Sequence, residues 1–338
     1  MKKYLNKKST LICLGIVGIL AIISALLIFV KPKDTENYSS YTKKTTIFTM
    51  GDKTMPLDEA YFITKNRQAY YEEYYYTYGA AFSWDIPVEQ GMTYEEAVLE
   101  ESLQYSKQIF VLSEYAKDNG MKLTEAEEKV LASTINAYLT NSHSNIIKAS
   151  YATEELVTRV YTRTALHDKV CEMILGDKDL TVDIEEARNC LVGIVEISPE
   201  YFDSPERIAE KICERVNGGE VIGEVAGIYD ATVDKINVAK NSEVKDVMEE
   251  FCLALKDDEC KITSIDGVYY VVYCYLENDE TVTANAKEIL IEEKKSQYIT
   301  EFVENLEKEN AVTINTDAWD TVNFDEAVLT KNDIIQSQ

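Results

Sequence analysis

The first pattern along the chain is an uninterrupted apolar run from Leu11 to Val30, 20 residues without a charge. At about 1.5 Å per residue, a helix of this length spans about 30 Å, the hydrocarbon thickness of a bilayer. Lysines before the run favour a cytoplasmic N-terminus. We predict a cytoplasmic stub and an uncleaved transmembrane anchor over residues 1–31. A removed signal peptide is the alternative, but it would need a shorter apolar core and a small-x-small cleavage site.

Residues 32–55 are polar and show no periodicity, which predicts a linker. From residue 56 to 180 the apolar positions recur at steps of three and four, the spacing of a helix face. Thr93–Glu96 and Thr124–Glu127 have the pattern of capping boxes, in which the Thr and Glu side chains satisfy free amides of the first turn. We predict a helical bundle of four helices, at about 58–78, 93–120, 124–148 and 153–176.

After residue 180 the period changes. Leu191–Ile197 is predicted to be a buried strand, and residues 267–275 form a second β-rich run. Helices are predicted between them at about 204–217, 220–228 and 243–255, with Ser204 as a cap and Pro205 in the first turn. Residues 186–278 therefore predict a small α/β domain, and the fold class is α+β. Residues 279–338 are predicted to hold a long amphipathic helix at 284–310, a short strand at 311–314 and a polar tail.

Composition narrows the possible chemistry. The chain has 34 Lys+Arg against 60 Asp+Glu, a net charge of −26, and the part beyond the anchor carries −30. Such a polyanion is repelled by nucleic-acid phosphates and by anionic headgroups, so we expect no nucleic-acid partner. The two histidines, His143 and His167, are 24 positions apart, and the seven cysteines show neither CxxC nor zinc-like spacing. We expect no metal, and no cofactor such as ATP because a phosphate-binding glycine loop is missing.

Four short segments follow one another in the second half of the chain: residues 187–192, 219–226, 251–259 and 267–271. In this order they resemble extracytoplasmic foldases of the SurA and PrsA type. Residues 187–192 (ARNCLV) resemble the first strand of the parvulin-type peptidyl-prolyl isomerase domain in these proteins, and residues 219–226 (GEVIGEVA) resemble its Gly-x-x-Phe-x-x-Leu-Ala turn. Residues 251–259 (FCLALKDDE) resemble its Phe-x-Leu-Lys-x-Gly-Glu segment, and residues 267–271 (GVYYV) resemble its final strand. The tyrosine-rich first helix, the turn at Trp84 and Gly91-Met92-Thr93 resemble the helical domain of the same family.

The resemblance implies an anchor, a client-binding helical domain, a parvulin-like domain and a C-terminal helix that returns to the helical domain. The two histidines of the parvulin site correspond to Asn189 and Tyr269, so the isomerase domain is expected to be degenerate, and whether it is an enzyme stays open. Cys190 and Cys274 would lie on the two central strands, where either a disulfide or buried free thiols can form. His167 is expected to be a surface or satisfied histidine.

The tyrosine cluster of the first helix is the candidate client-binding site. Tyrosine exposes a large apolar ring with a hydroxyl that tolerates water, which suits weak contacts to many sequences. The alternative is that the rings fill the bundle core, although all of them cannot face one way. The candidate residues are Tyr70, Tyr71, Tyr74, Tyr75, Tyr78 and Trp84.

The main hypothesis from sequence is therefore a membrane-anchored, single-pass extracytoplasmic chaperone, bacterial by resemblance. Its expected partners are unfolded or newly secreted polypeptides and, through residues 11–30, the lipid bilayer. The alternatives are an active peptidyl-prolyl isomerase and a structural subunit of an envelope or export complex.

Overall fold

The computed structural model describes residues 35–79, 82–88, 91–240, 244 and 246–337. Within them the chain forms two compact units, a helical unit of residues 35–178 and 297–337 and an α+β unit of residues 179–296. The predicted anchor, residues 11–30, lies outside the described residues. Of the helices that are described, none has the length and apolar character needed to cross a bilayer.

The described helices, in chain order, are α1 Thr35–Lys44, α2 Leu57–Thr77, α3 Tyr94–Asp118, α4 Glu125–Asn141, α5 Ser144–Ala149, α6 Glu154–Leu175, α7 Ile184–Ala187, α8 Pro205–Asn217, α9 Ile222–Ile228, α10 Asp246–Leu253, α11 Glu280–Glu309, α12 Thr316–Trp319 and α13 Lys331–Ser337. The strands are β1 Thr46–Met50, β2 Lys53–Pro56, β3 Asn189–Ile197, β4 Asp234–Ala239, β5 Cys260–Ile265, β6 Val268–Leu276 and β7 Val312–Ile314.

Both predicted capping boxes are present and begin α3 and α4. The Thr93 hydroxyl accepts the N–H of Glu96 at 3.2 Å, and the Glu96 carboxylate accepts the N–H of Thr93 at 2.7 Å. Thr124 and Glu127 make the same pair of bonds. Because two free amides are satisfied at each start, these helices begin where the sequence predicted.

The predicted linker at 32–55 is wrong for the residues that the structure describes, because α1, β1 and β2 lie there. β1 pairs with β2 and, at the other edge, with β7, so that Phe48 lies opposite Ile314. Phe48 is fully buried and stacks on Phe110 of α3 with ring centroids 6.0 Å apart. Strand β1 is completed by a partner more than 260 positions away, so no local pattern reveals it.

The α+β unit is built on an antiparallel sheet with the strand order β4-β3-β6-β5. β3 and β6 form the central pair, as the resemblance implied. Side chains alternate across the sheet, as the period of two requires. One face, with Val195 and Val271, packs on α8 and α9, and the other, with Val192 and Val272, packs on α10. The sequence missed β4 and β5.

Candidate functional site

Three tyrosines form an exposed row on α2, which we call the tyrosine stripe. Tyr70, Tyr74 and Tyr78 are 61%, 49% and 74% exposed. Their spacing of four residues places them on one face of the helix. The rings of Tyr74 and Tyr78 lie 4.9 Å apart, so that part of the stripe is a continuous aromatic surface.

A second layer of rings supports the stripe from below. Tyr75 stacks on Phe82 at 4.3 Å, Phe82 meets Trp84 at 4.7 Å, and Trp84 stacks on Tyr94 at 5.6 Å. Tyr71 meets both Trp84 and Tyr94 edge-on. We call these five half-buried residues the aromatic cluster. Ring pairs of this kind contribute about 0.5–1.5 kcal/mol each in addition to the free energy from buried apolar area. The cluster therefore stabilises the part of α2 that carries the stripe.

The stripe and the cluster are in direct contact. Tyr70 meets Tyr71, and Tyr74 meets Tyr75, each with ring centroids 5.5 Å apart at steep angles. The structure therefore brings together all six residues that the sequence nominated, and it divides them into three exposed rings and three supporting ones. Sequence reasoning missed Phe82 and Tyr94, although both flank the nominated Trp84.

A buried polar ladder runs along another face of α2, at Lys65, Gln68 and Glu72. The Lys65 ammonium donates to the Gln68 side-chain oxygen at 2.8 Å, and the Gln68 amide donates to Glu72 Oε1 at 2.9 Å. The indole N–H of Trp84 reaches the same oxygen at 3.3 Å, which joins the ladder to the aromatic cluster. Burial lowers the pKa of Lys65 to about 8 and raises the pKa of Glu72.

The ladder holds a C-terminal segment, residues 323–329, which we call the strap. The strap has neither helical nor strand structure. Lys65 donates to the main-chain oxygen of residue 323 at 2.7 Å, and Gln68 donates to that of residue 326 at 3.0 Å. Glu72 Oε2 accepts the N–H groups of residues 328 and 329 at 2.9 and 2.6 Å. The predicted polar tail thus contains a docked segment, and the apolar residues Phe324, Val328 and Leu329 were the signal for it.

A cavity of about 630 Å³ opens beside the strap. Tyr61 and Lys65 of α2, Lys148 of α5, and Tyr151 line it opposite the strap residue Val328. Tyr61 and Tyr151 are stacked with centroids 5.4 Å apart, and burial raises the pKa of both hydroxyls. The cavity therefore offers an aromatic wall and two lysines next to a segment that is held by its main chain.

The structure does not bring the two parvulin positions together. Tyr269 lies opposite Ile197 at one end of the β3–β6 ladder, whereas Asn189 pairs with Ala239 of β4 at the far end of β3. Eight residues of strand separate Asn189 from Ile197, or about 26 Å. The Asn189 amide donates to the Ala187 oxygen at 2.8 Å, which fixes the start of β3. Asn189 and Tyr269 therefore lie at opposite ends of β3 in this structure.

The remaining candidates are satisfied structural groups. His167 is buried, with Nδ1 2.8 Å from Asp168 and Nε2 3.0 Å from Gln108. All six cysteines within the described residues are free. Cys190 and Cys274 are buried, and burial raises the pKa of both thiols, to about 12 for Cys274. The same part of the chain holds no cluster of three or more His, Cys, Asp or Glu that could bind a metal ion.

Neither a protein-family model nor a curated protein matches the sequence. Solved structures do. The chain is similar to a structure described with PEB4 and the periplasmic protein Cj1289, two SurA-like chaperones of Campylobacter jejuni, at 9% identity and a TM-score of 0.28, over 80% of this chain and 99% of that one. It is similar to the foldase PrsA of Streptococcus pneumoniae at 14% identity and a TM-score of 0.27, over 70% of this chain and 97% of that one.

A third similar structure is PrsA of Bacillus subtilis, at 13% identity and a TM-score of 0.23, over 70% of this chain and 96% of that one. These similar structures are described as SurA-like chaperones and PrsA foldases. Identity at this level does not carry residue roles from one chain to another, so the roles below follow from this chain's own contacts.

Proposed function

We propose that this protein is a membrane-anchored extracytoplasmic chaperone that holds unfolded, newly secreted polypeptides through the tyrosine stripe. The observation that carries the proposal is the exposure of Tyr70, Tyr74 and Tyr78 on one face, above rings that are already packed. Because the aromatic cluster fixes that face before a client arrives, little ordering is needed on binding.

The expected binding is weak and tolerant of sequence. Each ring that a client covers contributes roughly 1–2 kcal/mol from the removal of apolar surface, offset by the cost of association. Three rings contribute about 3–6 kcal/mol before that cost, so one segment should bind with a dissociation constant of about 1 mM or weaker. Such contacts hold an unfolded chain and release it without ATP.

The apolar run of residues 11–30 would keep the protein at the membrane, with the bulk of the chain outside the cytoplasm. That bulk carries 30 Lys+Arg against 60 Asp+Glu. Its charge would repel the anionic lipid surface and leave the stripe facing passing polypeptides. The mass of the protein in the membrane fraction tests the anchor, because a cleaved segment would lower the mass by the residues removed.

The decisive test of the chaperone proposal is aggregation of a denatured client, followed by light scattering, with the full-length protein in detergent. The triple variant Tyr70→Ser, Tyr74→Ser, Tyr78→Ser should need at least about tenfold more protein for the same suppression, since three lost rings exceed the roughly 1.4 kcal/mol that corresponds to tenfold. The matched control is Tyr201→Ser, because Tyr201 is 77% exposed but lies in the α+β unit.

Two outcomes would contradict the proposal. If the triple variant suppresses client aggregation as well as wild type does, the stripe is not the binding surface. Complete indifference of the wild type to unfolded clients would favour a structural role in an envelope or export complex. A proline-limited refolding assay, run in parallel, separates holding from isomerase activity, because only an isomerase accelerates the slow phase.

A further inference from the structure

The hydrogen bonds from Lys65, Gln68 and Glu72 of α2 to the strap are made to its main chain. Glu95 of α3 accepts the N–H of Phe324 at 2.7 Å. Together with the bonds from Lys65, Gln68 and Glu72, this makes five main-chain groups bound within seven residues. Groups that every polypeptide possesses carry these bonds, so the ladder does not require the sequence of the strap.

Side chains of the strap enter two apolar sites. Phe324 is buried against Trp84, with ring centroids 4.5 Å apart, and the Lys65 ammonium lies 5.3 Å above its ring. Val328 and Leu329 are buried with other residues of a small cluster, which comprises Ala69 of α2 and Ile334 of α13, with Tyr76, Ile146 and Ala149 packed against it. The groove thus accepts an aromatic residue and, four positions later, two adjacent aliphatic ones.

From these contacts we propose that the groove on α2 is a binding site for an extended segment of unfolded polypeptide, which the strap occupies in its absence. The proposal rests on the chaperone function above and deepens it, because it names the chemistry of the client segment. The ligand is an aromatic residue followed, after three residues, by two aliphatic residues with free N–H groups. Proline is excluded at those two positions because Glu72 requires both N–H donors.

The groove has room for more than the strap. The adjacent cavity of about 630 Å³ is open beside Val328, and its wall includes Tyr61 and Tyr151. Through Trp84 the groove also reaches the aromatic cluster below the tyrosine stripe. A client held at the stripe is therefore close to the groove. If the client displaces the strap, the groove would add a second contact, made to the main chain of the client.

The test uses the full-length protein and a fluorescent peptide of the sequence of residues 321–330. In wild type the strap competes with the peptide for the groove. The apparent affinity for the peptide is therefore the intrinsic affinity multiplied by the fraction of molecules whose groove is free. The variant Phe324→Ser, Leu329→Ser weakens the strap and should bind the peptide at least about tenfold more tightly than wild type. Ala327→Ser, at an exposed position of the strap, is the control.

The same peptide with N-methyl groups on the residues corresponding to Val328 and Leu329 keeps its side chains and loses both donors. It should bind the Phe324→Ser, Leu329→Ser variant at least about tenfold more weakly than the unmodified peptide does. Adding Glu72→Gln to that variant should weaken its binding of the unmodified peptide in the same way. Equal binding of the two peptides would overturn the proposal that the groove binds a client segment. So would the absence of peptide binding by a correctly folded Phe324→Ser, Leu329→Ser variant.

A measurement on wild type guards against misfolding of the variant. Hydrogen exchange at the amides of residues 328 and 329 should accelerate at least about tenfold with saturating unfolded client, while amides within α3 stay unchanged. Unchanged exchange at both sites, with the client bound, would mean that the strap is a fixed structural tail. The two proposals fail separately: loss of suppression on removing the stripe, with no strap displacement, supports the chaperone and refutes the groove.

Discussion

Glu72 accepts the main-chain N–H of Leu329 at 2.6 Å, which joins α2 to a residue 257 positions further along the chain. Its other oxygen is bound by Gln68 and by the indole of Trp84. One carboxylate therefore links the aromatic cluster, the polar ladder and the strap. A substitution at this residue should therefore change the packing of the aromatic cluster, where the client is proposed to bind, and the hydrogen bonds that hold the strap.

Glu72→Gln should loosen the strap and destabilise the helical unit. Glutamine keeps one acceptor oxygen but places a donor where the second oxygen stood, so at least one pair of N–H groups loses its partner. An unsatisfied buried donor costs about 1–3 kcal/mol. Urea unfolding followed by tryptophan fluorescence measures this, because both tryptophans, Trp84 and Trp319, lie in the helical unit.

Glu73→Gln is the matched control for that substitution, since Glu73 is the exposed neighbour on the same helix. It should change the free energy of unfolding by less than about 0.5 kcal/mol. Limited proteolysis should cut the strap faster in Glu72→Gln than in Glu73→Gln. Identical unfolding curves and cleavage rates would show that the carboxylate does not hold the strap.

Lys65 should make the helical unit more stable as the pH rises above 8. Burial lowers its pKa from 10.5 to about 8 in the folded protein. Between these values the unfolded chain binds the proton that the folded protein has lost, so the free energy of unfolding rises with pH. Below pH 8 the lysine is charged in both states and adds no slope.

The comparison is between wild type and Lys65→Met in urea at pH 7 and pH 9.5. The difference in the free energy of unfolding should shift by about 2 kcal/mol in favour of wild type at the higher pH. Titration of the tyrosines is shared by both proteins and cancels. A difference that stays constant with pH would mean that Lys65 keeps an ordinary pKa in the folded state.

Local signals in the sequence were sufficient for the helix starts. Thr93 and Thr124 each carry the Glu three positions later that completes a capping box, and both helices begin there. Ser204 shows the limit of such signals. α8 covers Pro205–Asn217 as predicted, yet the serine side chain makes no capping hydrogen bond, because its backbone (φ −143°, ψ 67°) is turned away from the usual cap geometry.

Features that depend on distant partners could not be predicted. β1 needs β7, so its own few residues carry no signature of the pairing. The apolar residues of the strap indicate that it is buried, but they do not show that it docks on α2. For the candidate site, the spacing of the tyrosines showed that they could not share one face. Which of them face outward depends on where Phe82, Trp84 and Tyr94 pack, and that is set by the turn between α2 and α3.

Glu59 should be among the most sensitive charged positions of the helical unit. It is almost fully buried, and its carboxylate lies 2.8 Å from the guanidinium of Arg163 and 3.2 Å from that of Arg159. Glu59→Gln removes the carboxylate that both arginines share, although Arg159 keeps Asp58 and Arg163 keeps Glu114 as partners. The lost charge-assisted hydrogen bonds should cost about 1.5–3 kcal/mol, seen as a lower urea midpoint in the tryptophan assay. Lys43→Gln, at an exposed ion pair with Glu155 in the same unit, should cost less than about 1 kcal/mol, and equal effects would refute the network.

Asn189→Ala should affect stability and leave client chemistry unchanged. The Asn189 side chain donates to the Ala187 oxygen, and its main-chain oxygen and N–H bind Asp279 and Thr283 at the start of α11. Alanine removes only the side-chain bond, at a cost of about 1 kcal/mol, which hydrogen exchange along β3 would register. Proline-limited refolding should be the same with Asn189→Ala, Tyr269→Phe and wild type, because the two residues are about 26 Å apart along the sheet. If wild type accelerates the slow refolding phase of the substrate and Asn189→Ala does not, Asn189 would belong to an isomerase site after all.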